Sequence, residues 1–284
     1  MSAALFVTRF APSPTGLLHK GHAFSALTAH AAALQANGRF ILRIEDIDFT
    51  RCRPGFETAI YEDLTWLGLA WETPARRQSE HLDEYRAVIE RLAAEGLAYR
   101  CFKTRKQILD DIGRAPHGPP EGYRGAPLAT QEESRRVASG EPFAWRLSLS
   151  EAERRLGGFG HVNFTERGAG PNGETARIAA DPWSAGDVIL ARKDVGVSYH
   201  LAVVWDDALQ GVTQVIRGRD LFEATHIQRV LQALLGLPEP LYRHHRLLTG
   251  PDGKRLAKRD RAETLAAMRA RGVTVEALRA ELGF

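Results

Sequence analysis

The stretch "ALFVTRFAPSPTGLLHKGHAFSALTAHAAALQA" (residues 4–36) contains three successive patterns that together indicate the fold. An apolar run from Ala4 to Phe10 predicts a buried strand, and the Ala- and Leu-rich segment that stops at Asn37 has helical spacing. Between them lie two prolines, two glycines and the pair His19 and His22, which is more than a strand-to-helix turn needs. We interpret this loop as shaped to hold a ligand.

Strand and helix patterns continue to alternate after this stretch. "RFILRIED" (residues 39–46) predicts a strand, and helices are predicted at about 57–69 and 81–95. The same alternation returns later as "DVILARKD", the helical "SYHLAVVWDDAL", the strand "VTQVIRG" and the helical "EATHIQRVLQALLG". Such alternation is typical of a parallel sheet covered by helices, so we predict an α/β fold with a doubly wound, Rossmann-type sheet.

The region between the two alternating parts differs from them in composition and in hydrophobic pattern. "GRAPHGPPEGYRGAP" is rich in Gly and Pro, and "FAWRLSLS" and "HVNFTERG" alternate like short antiparallel strands. We therefore predict an inserted α+β subdomain at residues 99–185. The two halves of the nucleotide-binding domain would be 1–98 and 186–243, and 244–284 would form a loop and a short C-terminal helical region.

Composition limits the class of protein. The 284 residues allow a sizeable core, and 38 basic against 35 acidic residues permit a polyanionic partner without requiring one. Cys52 and Cys101 are the only cysteines, so a disulfide framework is excluded and a reducing cytoplasm is the expected location. The N-terminus lacks a signal-peptide pattern, and no apolar run is long enough to span a membrane.

The loop after the first strand offers a phosphate site of an uncommon kind. GxxxxGK[ST] does not occur, and no GxGxxG lies between the first strand and the helix that follows it. If a helix starts near His19, then His19 and His22 share one face at its positive end, where anions bind. Gly21 would leave room for a flat base, so ATP fits there. Taken alone, such a histidine pair is more often a helix start whose histidines face solvent.

A basic loop near the C-terminus is the second candidate for phosphate contact. "GPDGKRLAKRD" places Lys254, Arg255, Lys258 and Arg259 beside glycines. It is interpreted either as a solvated charge run or as a lid that neutralises a pyrophosphate leaving group.

The motifs and their order resemble the class I aminoacyl-tRNA synthetases of the glutamyl type. "RFAPSPTGLLHKGH" is similar to the first signature of that class, "RIEDID" and "VIRGRDL" to segments of the glutamyl members, and "RLAKR" to the second signature, Lys-Met-Ser-Lys-Ser. Because few residues follow Lys258, we expect no anticodon-binding domain. The chain thus resembles the truncated paralogues that attach glutamate to queuosine in the anticodon of tRNA(Asp).

The resemblance implies a role for each matching residue. Arg9 would bind the side-chain carboxylate of L-glutamate, with Ala11 and Ser13 lining the same pocket. Glu45 would bind the α-ammonium, while Tyr199 and Arg217 would complete the contacts. His19, Gly21, His22 and Lys258 would bind ATP, and His19, His22 and Lys258 would carry the catalytic step. Singly, each could be a surface or structural residue. Asp206 and Asp207 are interpreted as helix-end or structural acids.

Two departures from the family pattern matter. Relatives bind zinc through a cysteine-rich knob, but here only Cys101 matches, with Lys103 and Tyr123 at or near other ligand positions. One thiolate cannot make a tetrahedral site, so we predict no metal site and no structural zinc, with Cys101 in a core. In the lid, Ala257 replaces a serine and Arg255 a lysine, while Lys258 remains.

The resemblance implies a ligase that activates L-glutamate with ATP, accompanied by Mg²⁺, and transfers it to queuosine-bearing tRNA(Asp). A monomer without membrane contact is expected. Six basic residues could steer the RNA phosphates: Arg51, Arg53, Arg76, Arg77, Lys254 and Arg255. The alternatives are a minimal glutamyl-tRNA synthetase that charges the acceptor end, and a non-catalytic RNA-binding paralogue.

Overall fold

The computed structural model describes residues 5–113, 122–168, 170, 173, 175–192, 196–249 and 263–284. The strands are β1 (Val7–Phe10), β2 (Arg39–Ile44), β3 (Glu72–Arg77), β4 (Ala98–Cys101), β5 (Ala144–Leu147), β6 (Asn163–Thr165), β7 (Arg177–Ala179), β8 (Ile189–Arg192), β9 (Gln214–Gly218) and β10 (Leu241–His245). The helices are α1 (Lys20–Gln35), α2 (Pro54–Trp66), α3 (Leu82–Ala94), α4 (Arg105–Gly113), α5 (Thr130–Ala138), α6 (Leu149–Leu156), α7 (Tyr199–Leu209), α8 (Phe222–Leu235), α9 (Leu265–Ala270) and α10 (Val275–Leu282).

The main sheet is parallel and has the strand order β10-β9-β1-β2-β3. The chain runs outward from β1 through β2 to β3, and it returns at β9 on the opposite side of β1. The strand order therefore reverses between β1 and β9. Ligands of open α/β sheets bind in the crevice at this point, beyond the carboxyl ends of the strands. The arrangement confirms the predicted doubly wound fold.

Helices and loops bury both faces of this sheet. Along β2, Phe40, Leu42 and Ile44 pack in one cluster with residues of α1, α2, α9 and α10. Ile41, which points the other way, packs in a separate cluster with Phe164 and other residues. Successive side chains of a strand point to opposite faces, and a strand buried on both faces reads as a continuous apolar run. This is why "RFILRI" shows no polar alternation.

The remaining strands are antiparallel, as "FAWRLSLS" and "HVNFTERG" predicted. β4, β5 and β8 form one sheet, and β6 pairs with β7. The prediction for "DVILARKD" was wrong in one respect. Its strand, β8, pairs with β5 through Trp145 and Ala191 and does not enter the parallel sheet. A short apolar run looks the same in both kinds of sheet, so its pattern could not decide between them.

Capping explains where several helices begin and end. α2 starts at Pro54, three residues before its predicted start, because proline is favoured in the first turn of a helix. α1 ends before Asn37, whose φ of 46° is left-handed. The predicted C-terminal helices, α9 and α10, start at the capping side chains of Thr264 and Thr274. None of the described helices combines the length and apolar character that a bilayer crossing requires.

Buried and partly buried histidines make the stability depend on pH. Burial is the main cause that lowers the pKa of several: His30, His200, His226, His244 and His245. For His200 the pKa falls to about 4. Below about pH 6.5, the pKa of a histidine in the unfolded chain, the unfolded chain binds more protons than the folded chain. The stability contributed by a neutral histidine is therefore complete above that pH and is lost as the pH falls toward the pKa in the folded state.

We expect the melting temperature of the wild type to fall more between pH 7 and pH 5 than that of the His200→Leu variant, which lacks this titrating group. Calorimetry at constant ionic strength would measure both slopes. Equal slopes would show that His200 does not contribute to the acid sensitivity.

Candidate functional site

A cleft of about 460 Å³ opens at the carboxyl ends of β1 and β9, at the point where the strand order reverses. It gathers residues that lie more than 200 positions apart in the chain. The sequence-predicted site residues that line it are Arg9, Ala11, Ser13, His19, Gly21, His22, Glu45, Tyr199 and Arg217. Lys258, with Lys254, Arg255, Ala257 and Arg259, lies outside the described residues.

The histidine pair forms the N-terminal cap of α1. His19 is the N-cap residue, and its Nδ1 accepts a hydrogen bond from the Gly21 backbone N–H at 3.1 Å. In return, His22 Nδ1 accepts one from the His19 N–H, also at 3.1 Å. A neutral ring whose Nδ1 accepts carries its proton on Nε2. Both rings line the cleft, and in this tautomer each carries its N–H on Nε2.

The absent side chain of Gly21 leaves room for the His19 ring. A Cβ at this position would lie 2.9 Å from His19 Cε1 and 3.1 Å from its Nδ1. A side chain there would push the ring out of its capping position as well as narrow the cleft. The glycine is thus required by the capping arrangement itself.

The Gly21→Ala variant is expected to raise the KM for ATP by about tenfold or more, because small displacements of positioning groups cost that much. Gly55→Ala is the matched control, because a Cβ at Gly55 meets nothing within 4 Å. Steady-state kinetics with varied ATP would compare them. An unchanged KM for ATP in Gly21→Ala would show that the position of the His19 ring does not affect ATP binding.

A buried ion network holds the base of the cleft. Asp207 Oδ1 accepts from Arg9 Nε at 3.0 Å and from Arg43 Nη1 at 2.7 Å. Arg43, whose side chain is 0% exposed, also donates from Nη2 to Glu45 Oε1 at 3.2 Å. Burial opposes ionisation of Asp207, but the two arginines outweigh it and hold the pKa of that carboxyl below its usual range. The network therefore orients both Arg9 and Glu45.

Asp206 anchors the other end of this network. It accepts hydrogen bonds from Arg76 at 2.9 Å, Gln78 at 2.8 Å and the Tyr85 hydroxyl at 2.8 Å. Both aspartates are thus buried structural acids, as interpreted from the sequence. The expectation that Arg76 steers RNA phosphates is wrong, because its guanidinium is mostly buried and paired with Asp206 and Glu84.

The other basic residues proposed to steer RNA differ in exposure. Arg77 pairs with Glu57, Glu80 and Asp46, which leaves it little freedom. Arg51 is exposed on the rim, beside its partner Asp48, and Arg53 is exposed nearby. Arg51 and Arg53 therefore remain the described candidates for phosphate contact.

Arg217 forms the opposite wall of the cleft. It is buried, and its Nη1 donates to the Tyr199 hydroxyl at 3.3 Å. Arg9 and Arg217 thus present two buried guanidinium groups to one space, with the Glu45 carboxylate beside them. Because guanidinium groups bind carboxylates with paired hydrogen bonds, the arrangement suits a ligand with more than one carboxylate.

Some residues that build the site were missed by sequence reasoning. Arg43 carries a signal in hindsight, because a charged residue inside an apolar strand must find a buried partner. Glu166 and His244, which contact Arg217 or its partner, carry no comparable signal, because they come from distant segments.

The region of the family's zinc knob is a small core in this chain. Cys101 is buried with Tyr99 and Tyr123, and its Sγ lies 3.9 Å from the Tyr123 hydroxyl. The Lys103 ammonium lies 5.6 Å from the centre of the Tyr123 ring. Across the described ranges, no group of three or more His, Cys, Asp or Glu is placed to hold a metal ion.

We expect the purified protein to contain no stoichiometric zinc and a chelator to leave its melting temperature unchanged, because one thiolate beside a lysine cannot hold the ion. Elemental analysis and thermal melts would check both. About one zinc per chain would contradict this and return attention to Cys101, Tyr123 and His117, the last of which lies outside the described residues.

Comparison with known proteins gives matches over nearly the whole chain. Residues 6–283 match the family model of the class I tRNA synthetases (E and Q), catalytic domain. The glutamyl-Q tRNA(Asp) synthetase of Rhodobacter capsulatus is 46% identical over 282 residues, which cover 98% of this chain and 99% of that protein. The protein of the same name from Symbiobacterium thermophilum is 42% identical, covering 97% and 85%.

A longer relative and a solved structure also match. Glutamate–tRNA ligase 2 of Dinoroseobacter shibae is 39% identical, with 95% of this chain and 59% of that protein covered. The crystal structure of a glutamate tRNA ligase from Elizabethkingia meningosepticum, in complex with its amino acid, superimposes with a TM-score of 0.74 at 28% identity. The match covers 90% of this chain and 52% of that chain.

Proposed function

Because the chain belongs to the class I tRNA synthetases of the E and Q type, a family of ligases, we propose that it activates L-glutamate with ATP and transfers the glutamyl group to queuosine in the anticodon of tRNA(Asp). The observation that carries the proposal is the convergence of Arg9, Arg217 and Glu45 on one cleft beside the capped end of α1. Two buried cations and one acid match the two carboxylates and one ammonium of glutamate.

In the first step, a glutamate α-carboxylate oxygen attacks the α-phosphorus of ATP, and pyrophosphate leaves. No side chain acts as a nucleophile, so the rate comes from positioning and charge stabilisation. Arg9 binds the side-chain carboxylate, Glu45 the ammonium and Tyr199 with Arg217 the remaining polar atoms. His19 and His22 donate to the phosphates, at a helix N-terminus that favours anions. Lys258, outside the described residues, is proposed to neutralise the leaving group.

Mg²⁺ is proposed to accompany ATP. This ion keeps several waters and binds mainly through substrate phosphates rather than through a protein cage. The absence of a three-residue metal group within the described ranges is compatible with that mode of binding.

In the second step, a ring hydroxyl of queuosine attacks the carbonyl carbon of glutamyl-adenylate, AMP leaves and the hydroxyl proton is released. A recess of about 280 Å³ adjoins the main cleft and shares Ser13, Glu45 and Tyr199 with it. The recess extends to Asp48 and Arg51 at the rim. We place the acceptor nucleoside there, because proteins read RNA mainly through splayed bases of single-stranded loops.

The decisive experiment follows the glutamate. The protein is incubated with ATP, labelled glutamate and tRNA(Asp), and the RNA is digested to nucleosides for mass analysis. Glutamyl-queuosine is the expected product, and tRNA(Asp) with guanosine at that anticodon position is the control that stays unlabelled. Efficient labelling of tRNA(Glu) would instead support a minimal glutamyl-tRNA synthetase.

A separate measurement tests the first step alone. All the groups proposed to act in adenylate formation belong to the protein and none belongs to tRNA. Exchange of label between pyrophosphate and ATP should therefore require glutamate but no tRNA. Absence of exchange together with absence of transfer would support a non-catalytic RNA-binding paralogue.

A further inference from the structure

Three buried side chains form a hydrogen-bonded series that ends at the glutamate cleft. Glu166 and His244 have 0% exposed side chains, and Arg217 is nearly as deeply buried. His244 Nδ1 lies 2.5 Å from Glu166 Oε2, and Arg217 Nε donates to His244 Nε2 at 3.1 Å. Neither Glu166 nor His244 lines the cleft itself.

The direction of these hydrogen bonds determines the tautomer of His244. A guanidinium nitrogen can only donate, so His244 Nε2 must be the acceptor and Nδ1 must carry the proton. That proton is donated to Glu166, whose other oxygen accepts from the backbone N–H groups of His244 at 2.9 Å and Gly168 at 2.7 Å. Burial also lowers the pKa of His244, which favours the neutral ring.

The same contacts determine which edge of Arg217 is available. His244 takes its Nε–H, and Thr225 Oγ1 accepts from Nη2 at 2.8 Å, so the edge shared by Nε and Nη2 is filled by protein. Nη1 points to the Tyr199 hydroxyl, which lines the cleft. The end of the fork formed by Nη1 and Nη2 therefore faces the cleft, and this end can pair with a carboxylate.

The fold brings the three residues together from separate segments. His244 and Arg217 are register partners on the neighbouring strands β10 and β9. Glu166 follows β6, and its backbone bridges to Tyr242 of β10. Gly168 allows this close approach, because a Cβ there would lie 2.3 Å from the His244 carbonyl oxygen.

We infer that Glu166 and His244 are positioning residues for glutamate recognition: Glu166 holds His244 in the Nδ1–H tautomer, and His244 in turn holds the Arg217 fork toward the amino acid. This inference rests on the proposed function. It differs from a purely structural role because it depends on which ring nitrogen carries the proton.

The Glu166→Gln variant tests this dependence with almost no change in volume. Glutamine has one acceptor oxygen, which the backbone donors of His244 and Gly168 retain, so its amide NH₂ faces Nδ1. His244 must then accept at Nδ1 and carry its proton on Nε2, opposite the Arg217 Nε–H. Two donors facing each other displace the guanidinium. The Kd for glutamate and its KM in pyrophosphate exchange are expected to rise on the order of 10- to 100-fold, with the KM for ATP unchanged.

Glu239→Gln is the matched control, because Glu239 also pairs with arginines, Arg177 and Arg229, but away from the cleft. It should leave both KM values unchanged. Nitrogen-15 NMR of the His244 ring, assigned with the His244→Gln variant, should show Nδ1–H in the wild type and Nε2–H in Glu166→Gln. The wild-type spectrum tests the tautomer of His244 even if the Glu166→Gln variant does not fold.

Calorimetry of glutamate binding separates this inference from the proposed function. A wild type that does not bind glutamate would reject the proposed function. A wild type that binds glutamate, with an unchanged Kd in Glu166→Gln or with His244 protonated on Nε2, would overturn the positioning inference.

Discussion

The Asp207→Asn variant is expected to lose about 3 to 5 kcal/mol of unfolding free energy, because removing one partner of a buried ion pair leaves the other charge uncompensated. Asp207 pairs with both Arg9 and Arg43, so the change leaves two buried guanidinium groups short of negative charge. Glutamate activation should fall with it, because Arg9 loses the contact that orients it. Urea unfolding and pyrophosphate exchange would measure the two effects.

Asp83→Asn is the control for this variant. Asp83 also pairs with an arginine, Arg86, at 2.6 Å, but its side chain is 90% exposed. Exposed pairs contribute only about 0 to 1 kcal/mol, so this change should leave both readouts near the wild type. Similar small losses in the two variants would show that the network does not depend on Asp207.

Glutamine is expected to be used less efficiently than glutamate by a factor of about 1000 or more in kcat/KM. A site built to pair buried polar groups with a substrate rejects an analogue that leaves them unpaired, and such discrimination reaches about 10⁴ to 10⁵. An amide has one acceptor oxygen and presents its NH₂ donor to a guanidinium that can only donate. Pyrophosphate exchange with each amino acid would give the ratio.

The Arg9→Gln variant tells which cation carries this discrimination. If Arg9 binds the side-chain carboxylate, the ratio of kcat/KM for glutamate to kcat/KM for glutamine should be smaller in the variant than in the wild type. The main cause should be a lower kcat/KM for glutamate. A ratio that stays at the wild-type value would assign the side-chain carboxylate to another group, and Arg217 would be the first to test.

The strand and the helix start within residues 5–36 could be predicted from the sequence because each signal for them is local. The apolar run, the excess of prolines and the histidine pair all lie within one turn or one strand of the groups they affect. The capping arrangement of His19 and His22 confirms the predicted helix start. The site residues taken from the family resemblance line one cleft, apart from Lys258, which lies outside the described residues, and their individual roles stay proposals.

Strand pairing and buried polar contacts could not be predicted in the same way. β8 has the composition of a strand in the main sheet, yet it pairs with β5, because pairing depends on where the chain returns after a long excursion. Arg76 looks like a free surface cation in the sequence, and only the folded chain shows that it is buried against Asp206. Such contacts join residues far apart along the chain.

The sequence by itself therefore determined the alternation of strands and helices, the position of the loop that lines the cleft after the first strand, and the types of residue that are proposed to bind glutamate and ATP. Only the tertiary structure decided how those residues are held. Asp207 joins Arg9 to Arg43, and Glu166 with His244 orients Arg217. The hydrogen bond between Arg9 and Asp207 joins residues 198 positions apart, and the one between His244 and Glu166 joins residues 78 positions apart. The physical reason is that backbone propensity and capping act over a few residues, whereas the partner of a buried charge is whichever side chain the topology of the sheet brings within reach.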